Sequence, residues 1–91
     1  MRPPITSTPD AAELLTAAAR VRECGAATRH QAAALRWRMD ERGLSGPAGE
    51  ALAALGGSVA GQLAALADRC TAAADALVRA AHRAAVDQAR R

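Results

Sequence analysis

The spacing of apolar residues along the chain divides it into two amphipathic helices. In the first half, apolar or small residues recur at alternating steps of three and four from Ala11 to Met39, which is the spacing of a helix that packs along one seam. A second stripe runs from Leu52 to Ala81 and contains additional steps of four at Val59–Leu63 and Leu77–Ala81. Such steps resemble a stutter, which locally straightens a supercoil.

The two stripes are predicted to face each other across one turn, giving an antiparallel hairpin. Small residues such as Ala18, Gly25, Ala32, Cys70 and Ala73 fill part of this seam and allow the helix axes to approach closely. The larger members of the predicted hairpin seam are Leu14, Val21, Leu35, Met39, Leu52, Leu55, Val59, Leu63, Leu66 and Leu77.

The start of the first helix has two equivalent signals. Residues 1–9 hold three of the four prolines and are expected to form a flexible N-terminal tail. Asp10 followed by Glu13 can cap a helix, and Thr8 with Pro9 at the first helical position is an equally good cap.

The break between the helices is marked by glycine and proline. Gly43 can take a left-handed C-cap, and Ser45 or Gly46 can cap a new helix with Pro47 at its start. The expected hairpin, residues 10–91, therefore has helix one at about 10–42, a turn at 43–46 and helix two at about 47–90. Gly56-Gly57 is a weak point, where helix two could kink or begin.

Composition supports a single all-α domain. Among 91 residues there are 27 Ala and 12 Arg, but no Phe or Tyr and a single Trp. Ala, Leu and Arg favour helices, whereas strands need the β-branched and aromatic residues that are scarce here. Leu, Ile, Val, Met and Trp together number 17, too few for a thick core. We therefore expect the hairpin to dimerise into a four-helix bundle.

No group of residues has the spacing of a catalytic, cofactor or metal site. His30 and His82 have no acid and nucleophile at helical spacing, and Cys24 and Cys70 form neither a CxxC pair nor a zinc spacing. Cys70 lies on the apolar stripe and is expected to be a buried free thiol rather than half of a disulfide. The chain is predicted not to be an enzyme and to bind no cofactor.

Charge and hydropathy set expectations for partners. The formal net charge is +3, and the arginines around Trp37 and near the C-terminus are diluted by acids, so nucleic-acid binding is not expected. The longest uncharged run, Ala51–Ala67, is 17 residues and contains glycines, which disfavours membrane insertion. The N-terminus lacks the apolar region of a Sec signal peptide. Asp75–Arg79 and Arg83–Asp87 are expected ion pairs on a solvated helix face.

Trp37 lies off the predicted seam and is a candidate anchor for a partner protein. It is about 140° around helix one from Leu14 by helical geometry and shares a face with small residues. A Trp that is buried by a partner often dominates the binding energy. The predicted partner interface consists of Trp37, Leu44, His30 and Ala33.

The turn and the helix after it resemble the Trp-x-Gly family of small helical hairpins, the substrates of type VII (ESX-type) secretion in actinobacteria and other Gram-positive bacteria. Leu44-Ser45-Gly46 stands where that family places Trp-x-Gly, followed by the Ala-rich start of helix two. The family's export signal, Tyr-x-x-x-Asp/Glu after helix two, corresponds to Arg83 and Asp87, so only the acid matches.

The resemblance implies a small interaction protein that pairs with itself or with a second helical hairpin, as a homodimer or heterodimer. It would be cytoplasmic before export and then secreted without a Sec signal, as a partner or escort of a larger, co-encoded effector. The alternative hypothesis is a cytoplasmic regulatory or adaptor hairpin of a nucleoid-associated or antitoxin-like kind.

Overall fold

The computed structural model describes residues 9–91, so the predicted tail at 1–9 lies outside the described residues except for Pro9. The described residues form two helices, α1 (Ala11–Arg42) and α2 (Gly46–Arg90), and no strand. The prediction of an all-α, two-helix hairpin is confirmed. The molecule measures 67 × 27 × 13 Å, and its radius of gyration of 20.2 Å far exceeds the roughly 12 Å of a compact domain of this length.

Capping residues mark the start of α1 and both ends of the connection between the helices. At the start of α1 the Asp10 carboxylate accepts a hydrogen bond from the Glu13 N–H at 2.8 Å, so Asp10 is the N-cap. Gly43 ends α1 in the left-handed conformation, with φ 56°, and donates its N–H to the carbonyl oxygen of Asp40. Ser45 is the extended N-cap of α2, and Pro47 lies in its first turn.

Helix α2 passes through Gly56-Gly57 without a break. A Cβ atom on Gly56 would lie 2.6 Å from Cε and 2.8 Å from Sδ of Met39, so this glycine provides the space that the methionine fills. A Cβ atom added to Gly57 would meet no neighbouring atom within 4 Å. The contact with Met39 therefore gives a packing reason for one of the two glycines, and the helix continues through both.

The residues buried between the helices repeat every seven positions. In α1 they are Ala18, Gly25 and Ala32, and in α2 they are Ala60, Ala67, Ala74 and Ala81. A strict seven-residue repeat holds one stripe of each helix against the other along the full seam. The stutter predicted for the second helix is therefore absent from α2.

Two close contacts establish the register between the helices. A Cβ atom on Gly25 would lie 2.9 Å from the Cβ of Cys70, and Met39 fills the space above Gly56. Gly25 and Met39 are fourteen residues apart, as are Gly56 and Cys70, so the register is constant over two heptads. In both layers a glycine lies opposite a larger side chain, which allows close approach without leaving a void.

The same register extends this pairing of small with large along the seam. It sets Ala32 opposite Leu63, and Leu35 opposite Ala60. The predicted seam residues that lie half-buried between the helices are Leu14, Val21, Leu35, Met39, Leu63 and Leu77.

Four of the larger residues predicted for the seam lie outside it. Leu52, Leu55, Val59 and Leu66 are 49%, 62%, 40% and 46% exposed. Helix α2 is rotated by about one residue from the predicted orientation, so that alanines take the buried positions and the larger residues beside them face outward. Ala73 is displaced in the same way by buried Ala74. The physical reason is that small residues let the helices come closer than leucines would.

We predict that Gly25→Ala destabilises the hairpin although alanine favours helix. The added methyl would meet the Cβ of Cys70, which cannot swing away, and such overpacking costs about 1–3 kcal/mol. The matched control is Gly57→Ala, which meets nothing and should stabilise the helix by up to about 1 kcal/mol. Urea unfolding followed by circular dichroism measures both. Changes of the same sign in the two variants would contradict the proposed close approach.

Candidate partner-binding surface

Two ion pairs join the helices along one face of the hairpin. Arg22 contacts Asp75 at 3.0 Å, and Arg29 contacts Asp68 at 2.7 Å. The arginines are seven residues apart, as are the aspartates, so both pairs follow the seam's repeat. All four side chains are at least half exposed, and each pair is therefore worth at most about 1 kcal/mol. Asp75 pairs across the hairpin with Arg22 rather than with Arg79, which corrects the sequence-based expectation.

The opposite face carries a row of large apolar side chains, Leu52, Leu55, Val59 and Leu66, which we call the α2 stripe. Buried Ala67 shows how the two faces are separated. Asp68 follows it and Leu66 precedes it, so these side chains lie about 100° to either side of the seam. One side is thus bridged by ion pairs, while the other presents leucines and a valine to solvent.

The α2 stripe lies in an uncharged part of its helix, residues 51–67. By length and composition alone, α2 could cross a membrane: its most apolar 18-residue stretch has a mean hydropathy of 1.3, and 11% of that stretch is buried. However, the register sets residues 28–44 alongside the uncharged run, and these include six charged side chains. Charges inside a bilayer are costly, so this pairing disfavours insertion of the hairpin into a bilayer.

The residues predicted as a partner interface fall into two places. Trp37 is 63% exposed and points away from α2, with exposed His30 and Ala33 on the same face of α1. Leu44 is half-buried in the connection, where a Cβ atom on Gly49 would lie 3.1 Å from its carbonyl carbon. The α2 stripe lies on the other helix, so it is a surface separate from that of Trp37.

The cysteines and histidines are not brought together. Cys24 is exposed and Cys70 is half-buried behind Gly25, and both are free thiols. His30 and His82 are exposed on different helices. Within residues 9–91, no three His, Cys, Asp or Glu side chains form a group that could hold a metal ion.

Arg83 and Asp87, at the positions of the expected export signal, are exposed near the end of α2. They line a shallow depression with His82, Val86 and Arg90. Val86 is 50% exposed. This end of the hairpin is therefore accessible to another protein.

No protein-family model, curated protein or solved structure matches the chain.

The spacing of the larger apolar residues predicted that the α2 stripe lies in the seam, and this prediction was wrong because the stripe is exposed. The signal that identifies the true seam is the unbroken seven-residue spacing of Ala60, Ala67, Ala74 and Ala81. A stripe built from the larger residues next to these alanines contains two irregular steps, whereas the alanine series contains none.

We predict opposite outcomes for two leucines three residues apart. Leu63→Asp places a charge in the seam, which costs several kcal/mol, about as much as a hairpin of this size can lose, so helical circular dichroism should collapse. Leu66→Asp adds a charge at a 46% exposed position and should cost about 1 kcal/mol or less, leaving helicity intact. Loss of helicity in Leu66→Asp would show that Leu66 belongs to the core.

Proposed function

We propose that the protein is a non-enzymatic interaction protein that supplies two helices of a four-helix bundle, the other two coming from a second helical hairpin. The observation that carries this proposal is the exposed α2 stripe beside a seam whose fully buried positions hold only alanine and glycine. A second helix pair laid on the stripe would cover side chains that the hairpin itself leaves in water.

The shape of the surface favours a helical partner. The stripe advances by steps of three, four and seven residues, which is the pattern that a facing helix recognises. Burying four half-exposed large side chains contributes roughly 1 kcal/mol each. Association has its own entropic cost, so contacts with the small residues beside the stripe must add to the binding energy. An extended helix pair can make these additional contacts.

The function that we propose for this bundle is in type VII secretion, as a secreted partner or escort of a co-encoded effector. Support comes from the single turn at Leu44-Ser45-Gly46 and from the accessible Arg83 and Asp87 near the end of α2. Arg83 occupies the place of the tyrosine in the export signal, so the partner would provide the complete signal for both chains.

Co-expression with a helical-hairpin protein encoded beside this one tests the proposal. We expect a stable 1:1 complex by size-exclusion chromatography with light scattering, and a complex that Leu66→Asp disrupts. The complex should reach the culture medium when the secretion system is intact and stay in the cell when it is inactivated. A complex that forms but is never exported would instead favour the adaptor function inside the cell.

Trp37 provides an independent measurement, since it is the only tryptophan. Its indole is 63% exposed, so its fluorescence should respond if the partner covers the outer edge of α1. Trp37→Ala should leave helicity unchanged and weaken the complex if this edge belongs to the interface. Unchanged fluorescence on complex formation, together with unchanged affinity of Trp37→Ala, would restrict the interface to the α2 stripe.

A further inference from the structure

We propose that the groove beside Arg36, near the connection between the helices, binds an acidic side chain of a partner protein. The groove lies on the ion-paired face, on the other side of the seam from the α2 stripe. The site is therefore separate from the surface on which the proposed function depends. Arg36 is the third member of a series of arginines, and it has no acid opposite it on α2.

The arginines of this face recur at seven-residue intervals along α1. The first two, Arg22 and Arg29, each contact an aspartate of α2, at 3.0 and 2.7 Å. Seven residues after Arg29 comes Arg36, and seven residues before Asp68, the partner of Arg29, comes Gly61. Because the register is constant, Gly61 lies where a third aspartate would meet Arg36, and it has no side chain to do so.

Asp40 does not take the place of this acid. It lies one turn after Arg36 on α1, and an arginine that precedes its acid by four residues is in the less favourable order for an ion pair within a helix. Within residues 9–91, the ion pairs are those of Arg22 and Arg29. Arg36 is thus exposed, with no carboxylate at contact distance, and its guanidinium is available to a partner.

The groove that Arg36 borders has room for a partner's side chains. Its volume is about 400 Å³, within the range of pockets that hold small ligands. Arg36 and Asp40 are its charged residues. The rest of its lining is apolar or small, and consists of Met39, Gly43, Leu44, Ala53 and Gly57. A Cβ atom on Gly57 or Gly61 would meet nothing within 4 Å, so α2 leaves open space opposite Arg36.

This chemistry favours a carboxylate carried by an otherwise apolar segment. A guanidinium can bind a carboxylate through two parallel hydrogen bonds, and the other two arginines of the series already contact aspartates. A phosphate group carries up to two negative charges, so Asp40 would repel it more strongly than it repels a carboxylate. Leu44, which was predicted as part of a partner interface, provides apolar contact area in the same groove.

A double-mutant cycle tests whether Arg36 faces Gly61. Gly61→Asp supplies an acid in line with Asp68 and Asp75, and Gly61→Asn is the matched control, with a similar shape and no charge. We expect a higher urea midpoint for Gly61→Asp than for Gly61→Asn, and no such difference when Arg36→Gln is also present. The difference should shrink as salt is added, because salt screens an exposed pair.

Binding is measured with a displayed library of helical peptides selected against the full chain. Excess Gly61→Asp protein in solution removes peptides that bind elsewhere, because its own aspartate occupies Arg36. We expect the selected peptides to share an Asp or Glu flanked by apolar residues. Replacing that acid by its amide, or Arg36 by Gln, should weaken binding at least about tenfold, since a charge-assisted hydrogen bond is lost.

Two variants serve as controls for peptide binding. Arg38→Gln removes the same charge about 200° further around α1, and Gly61→Asn adds a side chain of aspartate's shape without its charge. Both should bind the selected peptides like the unmodified chain. Leu66→Asp should also bind them normally, because Leu66 belongs to the α2 stripe.

Several results would overturn the proposal. They are equal urea midpoints for Gly61→Asp and Gly61→Asn, a failure to select peptides that share an acid, or peptide binding that is insensitive to Arg36→Gln. If no peptide is selected but phosphatidylglycerol vesicles bind through Arg36, the groove recognises lipid and the proposal is also wrong. None of these results affects the proposed function, which is tested through Leu66.

Discussion

The close approach of the two helices is the constraint on which the rest of the structure depends. At Gly25 the backbone of α1 is so near to Cys70 that a Cβ atom would collide with it. Such proximity is possible only where one residue of each facing pair is small, and alanines and glycines at seven-residue intervals meet this condition along both helices. Register, rotation and the position of the ion pairs all follow from that spacing.

Close approach also limits how much the hairpin can stabilise itself. A buried alanine methyl contributes about 0.8 kcal/mol, whereas a buried leucine contributes roughly 1.5–3 kcal/mol. Among the described residues, no large side chain is fully buried. The larger apolar residues of α2 are displaced to the flank by the same rotation that brings the alanines together, so the thin core and the exposed α2 stripe have one physical origin.

Most of the fold could be predicted because its determinants are local. A capping aspartate at Asp10 and a left-handed glycine at Gly43 act within one turn of the chain, and they can be recognised without knowledge of the partner helix. The seam of α1 could also be predicted, because α1 has no second stripe of apolar residues with the same spacing.

The rotation of α2 could not be predicted in the same way, because it depends on distance and charge across the seam. Val59 and Leu66 outrank Ala60 and Ala67 in hydrophobicity, so a search for the most apolar stripe selects the wrong face. The rotation is decided by the space available opposite each residue, and in the observed rotation Asp68 and Asp75 reach Arg29 and Arg22.

The two faces of the hairpin thus differ in how much they leave for a partner. On the ion-paired face, Arg22 and Arg29 extend across the seam and pair with Asp75 and Asp68 of α2. On the other face, Cys24 and Gln31 belong to a seven-residue series of α1 that continues with exposed Arg38, and the register sets Arg38 alongside Gly57 in the middle of the α2 stripe. This surface therefore offers a partner two features: the spacing and size of the apolar side chains of α2, and the positive charge of Arg38 on α1 beside them.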